Sequence, residues 1–174
     1  MCGISGWVTK TSSPIDISLL DKMSERISHR GPDDYGEFIT TTETGEVSVC
    51  FAHRRLAIID LDTGKQPMHS MDDEVVISFN GEIYNFPELR IELEQDGSRF
   101  RTKSDTEVIL EGYRKWGKDV LGRLRGQFAF AIWDSRLEEL FLARDHFGIK
   151  PLYYRLSNNG IMFASEIKAI NEVI

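Results

Sequence analysis

Gln127-Phe128-Ala129-Phe130-Ala131-Ile132-Trp133 is the stretch that decides the fold class. Phe128, Phe130 and Ile132 alternate with Ala129, Ala131 and Trp133, and a period of two belongs to a β-strand. Both faces are apolar, so the strand is expected at the centre of a sheet, covered on each side. Leu140 to Ala143 lies close enough in the chain to pair with it, and Val75 to Phe79 is another apolar strand.

Between those strands the period changes. Asp105 to Trp116 carries Ile109, Tyr113 and Trp116 on one helical face, and Ser104-Asp105-Thr106-Glu107 matches a capping box at its start. Glu88 to Gln95 reads as a shorter helix, with Asn85 as N-cap and Pro87 in the first turn, where its missing N–H costs little. Towards the N-terminus, Ile4 to Val8 is a short strand and Ile17 to Ile27 a helix with Leu20, Met23 and Ile27 inward. His29 to Asp34 is a turn-rich loop. Phe38 to Thr42 and Val47 to His53 read as strands paired around Gly45, and Leu61 to Met68 as a loop punctuated by Gly64 and Pro67. Towards the C-terminus, Pro151 to Arg155 and Ile161 to Ala164 add strands, and Ser165 to Ile170 a last helix. Strands and helices come in blocks, which points to antiparallel sheets with helices packed outside them.

A length of 174 residues suits one domain with a sizeable core, and 41% apolar with 28% charged residues is an ordinary globular balance. The net charge of −7 disfavours nucleic acid and anionic membranes as partners, since both reward a basic surface. No run approaches the length of a membrane span, and Lys10, Asp16, Asp21 and Lys22 break up the N-terminus before a secretory signal can form. Cys2 and Cys50 are too few and ill-placed for a disulfide framework. Reduced thiols fit the cytoplasm, and Cys50 reads as a small buried apolar residue. His29, His53, His69 and His146 lack metal-like spacing, so no metal site is expected. No phosphate-cradling glycine motif is present.

Four groups carry candidate chemistry. Removal of Met1 would give Cys2 a free α-amine, a group that ordinarily titrates at ~7.7–8.0 and can act as base at neutral pH. The thiol is a strong nucleophile that such an amine activates; the bland alternative is a cysteine in an ordinary first strand. In Ser78 to Asn85 an apolar strand is expected to end in a polar turn, where the Asn80 amide and the Gly81 backbone N–H supply donors for an oxyanion hole. Glu82 there would accept from an ammonium group, although Asn-Gly is also an ordinary turn dipeptide. Arg54-Arg55 ends an apolar strand, either as a carboxylate clamp or as a solvated pair. Asp105 opens a helix, either as an ammonium ligand or as a complement to the helix dipole. Together the four supply what an amino-acid amide hydrolase needs.

The chain resembles the class II (N-terminal nucleophile) glutamine amidotransferase domains of asparagine synthetase B and its relatives. Met1-Cys2-Gly3-Ile4, His29 to Asp33, His53 to Asp60, Phe79 to Asn85, Ser104-Asp105, Gly126 to Ala131, Arg144 to Tyr154 and Ala164 to Ala169 carry the resemblance, in order, along nearly the whole chain. The last two of the long runs set it apart from class II enzymes that feed phosphoribosyl or hexosamine synthesis. The resemblance implies an α+β fold, a four-layer αββα sandwich with two antiparallel sheets between helical layers. It implies Cys2 as nucleophile with its own α-amine as base, and Asn80 and Gly81 as the oxyanion hole. It implies Arg55 on the α-carboxylate of L-glutamine, Glu82 and Asp105 on its α-ammonium, and backbone around Ile58 and Ile59 completing the pocket. Arg30 would order the segment near the nucleophile. No cofactor is implied in residues 1–174. ATP and Mg²⁺ would serve a C-terminal synthetase domain of the same polypeptide, which receives the ammonia; the protein is expected to be cytoplasmic, with a homodimer one arrangement open to the full-length chain. An acceptor other than aspartate, a sugar or a peptide, fits the same domain. A non-catalytic domain follows if Met1 stays in place.

Overall fold

A computed structural model describes residues 1–10, 16–56 and 64–174. Among them, nine strands form two antiparallel sheets. The first runs β2 (Asp34–Thr41), β3 (Val47–Arg55), β1 (Gly3–Lys10), β9 (Gly160–Ala164), β8 (Tyr153–Ser157). The second runs β4 (Met68–His69), β5 (Val75–Ile83), β6 (Gly126–Asp134), β7 (Glu139–Arg144). Helices α1 (Ile17–Glu25) and α4 (Ile167–Asn171) cover the first sheet, and α2 (Phe86–Gln95) and α3 (Asp105–Trp116) cover the second.

Strand alternation assigns each side chain to a layer. From β6, Phe128, Phe130 and Ile132 join Ile109, Tyr113 and Leu93 beneath α2 and α3. Ala131 and Trp133 point the other way, to Val49, Phe51 and Phe163 of the facing sheet. Cys50 and Ala52 of β3 meet Leu20, Met23 and Ile27 on the outer side of the first sheet. The result is the αββα sandwich, with β6 interior to its sheet and covered on both faces. A Cβ at Gly6 would lie 2.3 Å from the Cys50 carbonyl oxygen and 2.8 Å from the Phe163 ring. Glycine there lets Phe51 and Phe163 meet edge to face at 5.4 Å between the sheets.

Several local expectations are corrected. Ser78 to Asn85 does not turn after Phe79: β5 continues to Ile83, with Asn80 opposite Ala129 and Glu82 opposite Gln127. The ladder to β6 outweighs the turn preference of Asn-Gly. Asn85 stands at the N-cap of α2 without capping it. Its side chain instead donates to Arg123 O (2.9 Å) and accepts from Arg125 N (2.8 Å). Ser104 does cap α3, accepting from Thr106 N at 3.1 Å. Glu107 does not close the box; its carboxylate accepts from Arg101 N and Thr102 N, at 2.8 and 2.7 Å. Ser165 lies outside α4 and extends the β1–β9 ladder, giving its N–H to Ile4 O (2.8 Å) and accepting Ile4 N–H at Oγ (3.0 Å). Pro151 and Leu152 precede β8 rather than opening it. No helix among the described residues is long and apolar enough to cross a membrane.

Candidate active site

The start of β1, the end of β3, the end of β5 and the start of β6 meet at one end of the sandwich. They enclose a cleft of about 190 Å³, below the ~300–1,000 Å³ typical of sites for drug-sized ligands and suited to something the size of an amino acid. Cys2, Arg55, Asn80, Gly81, Glu82 and Asp105 all line it. Ile58 and Ile59 lie outside the described residues.

Cys2 is half-buried. Its Sγ accepts from Leu56 N at 3.4 Å and donates to Leu56 O at 3.6 Å, so the end of β3 holds the thiol. Arg30, buried beneath β1, donates from Nε to Cys2 O at 2.9 Å and from Nη1 to Glu166 Oε1 at 3.0 Å. Burial works against the ionised form of Glu166, but bonds from Lys168, Arg30 and His29 outweigh it and hold its pKa down at about 2. With Ser165 tied to Ile4, the segment after the nucleophile is clamped from both sides. Met1 also lines the cleft; while it is attached, the nitrogen of Cys2 is an amide and cannot take up a proton.

The two arginines separate by alternation. Arg54 faces α1, where Nε donates to Ser24 Oγ at 2.8 Å, Nη2 donates to Glu25 at 3.1 Å, and the guanidinium lies 4.6 Å from the Tyr35 ring centroid. Arg55 faces the inter-sheet side, is buried and lines the cleft. Asp105 is buried at the start of α3 and accepts from Ile83 N at 2.9 Å. Burial pushes its carboxyl up, against bonds from the Ile83 and Thr106 N–H groups, and the charge of Glu82 pushes the same way. The Asp105 carboxylate thereby ties the end of β5 to the start of α3.

Asn80 is 1% exposed, and its Nδ2 has no hydrogen-bond partner among the described residues. A buried amide donor without an acceptor is a standing cost that a bound oxygen would remove. Gly81 is packed against β6, where a Cβ would lie 2.3 Å from Gln127 O. Two residues further in, His53 Nδ1 lies 3.1 Å from Ser78 Oγ, bridging the sheets. Burial, and then the charge of Arg55, pulls its pKa down to about 3, so it is neutral. Burial likewise pushes the Cys50 thiol up, as expected of an inert core cysteine.

Sequence reading missed Gln66, Gln127 and Lys150, which also line the cleft. Gln66 accepts from Phe79 N at 2.6 Å and donates to Thr106 Oγ1 at 3.4 Å, joining β5 to the start of α3. Its one sequence signal was the loop punctuation of Gly64 and Pro67. Gln127 and Lys150 stood inside quoted runs, Gly126 to Ala131 and Arg144 to Tyr154, without a role.

Known proteins share the sequence and the fold of this chain. The chain is 43% identical over 173 residues to glutamine-hydrolyzing asparagine synthetase 3 of Bacillus subtilis (strain 168), covering 98% of this chain and 27% of that protein. It is 45% identical over 173 residues to asparagine synthetase 1 of the same organism, covering 98% of this chain and 26% of that protein. The chain thus spans about a quarter of the length of these relatives. The fold is shared with the glutamine phosphoribosylpyrophosphate amidotransferase of B. subtilis, at a TM-score of 0.77 and 24% identity over 99% of this chain and 43% of that one. The sequence profile described as "Glutamine amidotransferase domain" matches residues 1–174 from end to end, and the chain belongs to that family.

Proposed function

We propose that this chain hydrolyses L-glutamine to L-glutamate and ammonia through a covalent Cys2 thioester. The observation that carries the reading is the buried, unpartnered Asn80 Nδ2 in the same cleft as the Cys2 thiol, a nucleophile facing a donor with nothing to donate to. Arg55 binds the α-carboxylate of glutamine, and Glu82 and Asp105 bind its α-ammonium.

The chemistry then runs in two steps. The freed α-amine of Cys2 takes the thiol proton, and Sγ attacks the side-chain amide carbon. Asn80 and Gly81 stabilise the oxyanion, the C–N bond breaks, and the amine passes its proton to the departing ammonia. Water then adds to the thioester carbon with the amine as base. The C–S bond breaks, the thiolate recovers a proton, and glutamate leaves as a γ-carboxylate.

The two B. subtilis relatives are named as asparagine synthetases, which supports aspartate as the acceptor, amidated in a synthetase region of a longer polypeptide. The ATP and Mg²⁺ implied by the family resemblance would belong to that region. Unbridged Cys2 and Cys50 are in keeping with a cytoplasmic protein.

Intact mass and peptide mapping after exposure to a diazoketone glutamine analogue test the reading. Protein lacking Met1 should gain a single adduct on Cys2, and Cys2→Ala should gain none while releasing no glutamate. Met1-free protein that stays unlabelled would overturn the assignment.

A further inference from the structure

Lys150 is held in an unusual setting. Its N–H donates to Asp145 Oδ2 at 3.0 Å, and its carbonyl accepts from Arg144 Nε at 2.7 Å. The same Asp145 carboxylate accepts from the N–H groups of Phe128 (3.2 Å), Phe147 (3.1 Å) and Ile149 (2.9 Å). The backbone of Lys150 is thereby fixed to the start of β6, beside Gln127. Its side chain lines the cleft, only 9% of the residue is exposed, and its ammonium makes no hydrogen bond or ion pair with any described residue. Its ammonium is not among the fully buried unpaired groups, so it opens into the cleft, where an unpaired cation on a largely buried stem is placed to receive an anionic group of a ligand.

Sheet order shows where that charge would sit. β1 lies between β3 and β9 in the first sheet. Arg55 belongs to β3, on one side of Cys2. Lys150 runs into Pro151, which shares a second hollow with Ser165 at the end of β9, on the other side of Cys2. The two cations therefore flank the nucleophile. Glutamine offers one carboxylate to this pair, because its side-chain amide is neutral. Glutamate offers two.

We propose that Lys150 is the receptor for the γ-carboxylate of glutamate, so that the cleft binds the hydrolysis product as a dicarboxylate between Arg55 and Lys150. The inference rests on the glutaminase reading and deepens it by identifying what sets retention of the product. Glutamate inhibits glutamine hydrolysis through this pair, and Lys150 discriminates product from substrate by charge.

The test is the inhibition constant for L-glutamate beside the KM for L-glutamine, in Met1-free wild type, Lys150→Met and Lys150→Arg. Losing a charge-assisted bond should weaken glutamate inhibition about tenfold or more in Lys150→Met, with the KM for glutamine changing far less. Lys150→Arg should retain most of the inhibition. An unchanged inhibition constant in Lys150→Met, a parallel rise of both constants, or an arginine variant as weak as the methionine one would each overturn the proposal. In wild type alone, raised ionic strength should weaken glutamate more than glutamine, and equal weakening would overturn it too. Diazoketone labelling of the same wild-type preparation separates the two ideas. Unlabelled wild type sinks the glutaminase reading, whereas labelled wild type with unaltered glutamate discrimination sinks this inference alone.

Discussion

Asp105 and His53 are both buried titratable groups, and they load the fold in opposite directions. The carboxyl of Asp105 is raised, first by burial. The folded state therefore holds its proton more tightly than the unfolded chain, and stability falls as pH rises through the raised value. Asp105→Asn removes that penalty while its amide oxygen can still accept the Ile83 N–H. The variant should be more stable than wild type to urea at neutral pH, and should bind glutamine at least about tenfold more weakly, since a charged partner of the ammonium is gone. Equal affinity with altered stability would assign Asp105 to the helix alone. His53 is lowered from 6.5 to about 3. The unfolded chain binds the extra proton between those values, so this contribution is fully present above 6.5 and is lost progressively as pH falls below it. Urea midpoints measured down through that window should decline in wild type and decline less steeply in His53→Gln.

At the scale of elements, the segment after β7 is organised by one carboxylate. Asp145 accepts four backbone N–H groups, from Phe128, Phe147, Ile149 and Lys150. Burial opposes ionisation of Asp145, but those bonds prevail and its pKa is lowered. Asp145→Ala would strand several of these donors, at ~1–3 kcal/mol for each one left buried and unpaired. A loss of at least about 3 kcal/mol in denaturant unfolding is expected, along with weaker glutamate inhibition because Lys150 loses its anchor. A variant as stable as wild type would show that the segment keeps its shape without the hub. The motif around Asp145 was legible as family signature, but its four bonds were not, because three run within the loop and one crosses to a strand seventeen positions away.

On the scale of the whole molecule, the cleft exists only while the two sheets stay stacked. Cys2, just ahead of β1, and Arg55 of β3 lie on the side of the first sheet, and Asn80, Glu82 and Gln127 come from the second. Trp133 is the largest buried side chain between them, packed with Val49, Phe51, Val76 and Phe163. Trp133→Ala should cost ~3–5 kcal/mol, read as a lower urea midpoint. Glutamine affinity should fall with it although Trp133 does not line the cleft. Unchanged affinity in the folded variant would mean that the site is set within each sheet rather than by their stacking.

What the sequence by itself determined was everything written in short-range periodicity. The doubly apolar run from Gln127 to Trp133 required a covered central strand, the spacing of Ile109, Tyr113 and Trp116 required the inward face of α3, and Ser104 marked where that helix starts. The order of its motifs also carried the family. Only the tertiary structure decided how the polar groups named by the resemblance converge and which others join them. Asn80-Gly81 looked like a turn because local preference says so, and became strand because β6 offered a ladder. Glu107 left its capping box for the backbone of Arg101 and Thr102. Arg55 had been singled out by the family resemblance, and the face each arginine presents supplied the physical reason, while Gln66, Gln127 and Lys150 joined Cys2 across most of the chain length. Local preferences act over a turn of helix or a strand pair, whereas a cleft is set by strand order and sheet stacking, which bring together residues that no short window contains.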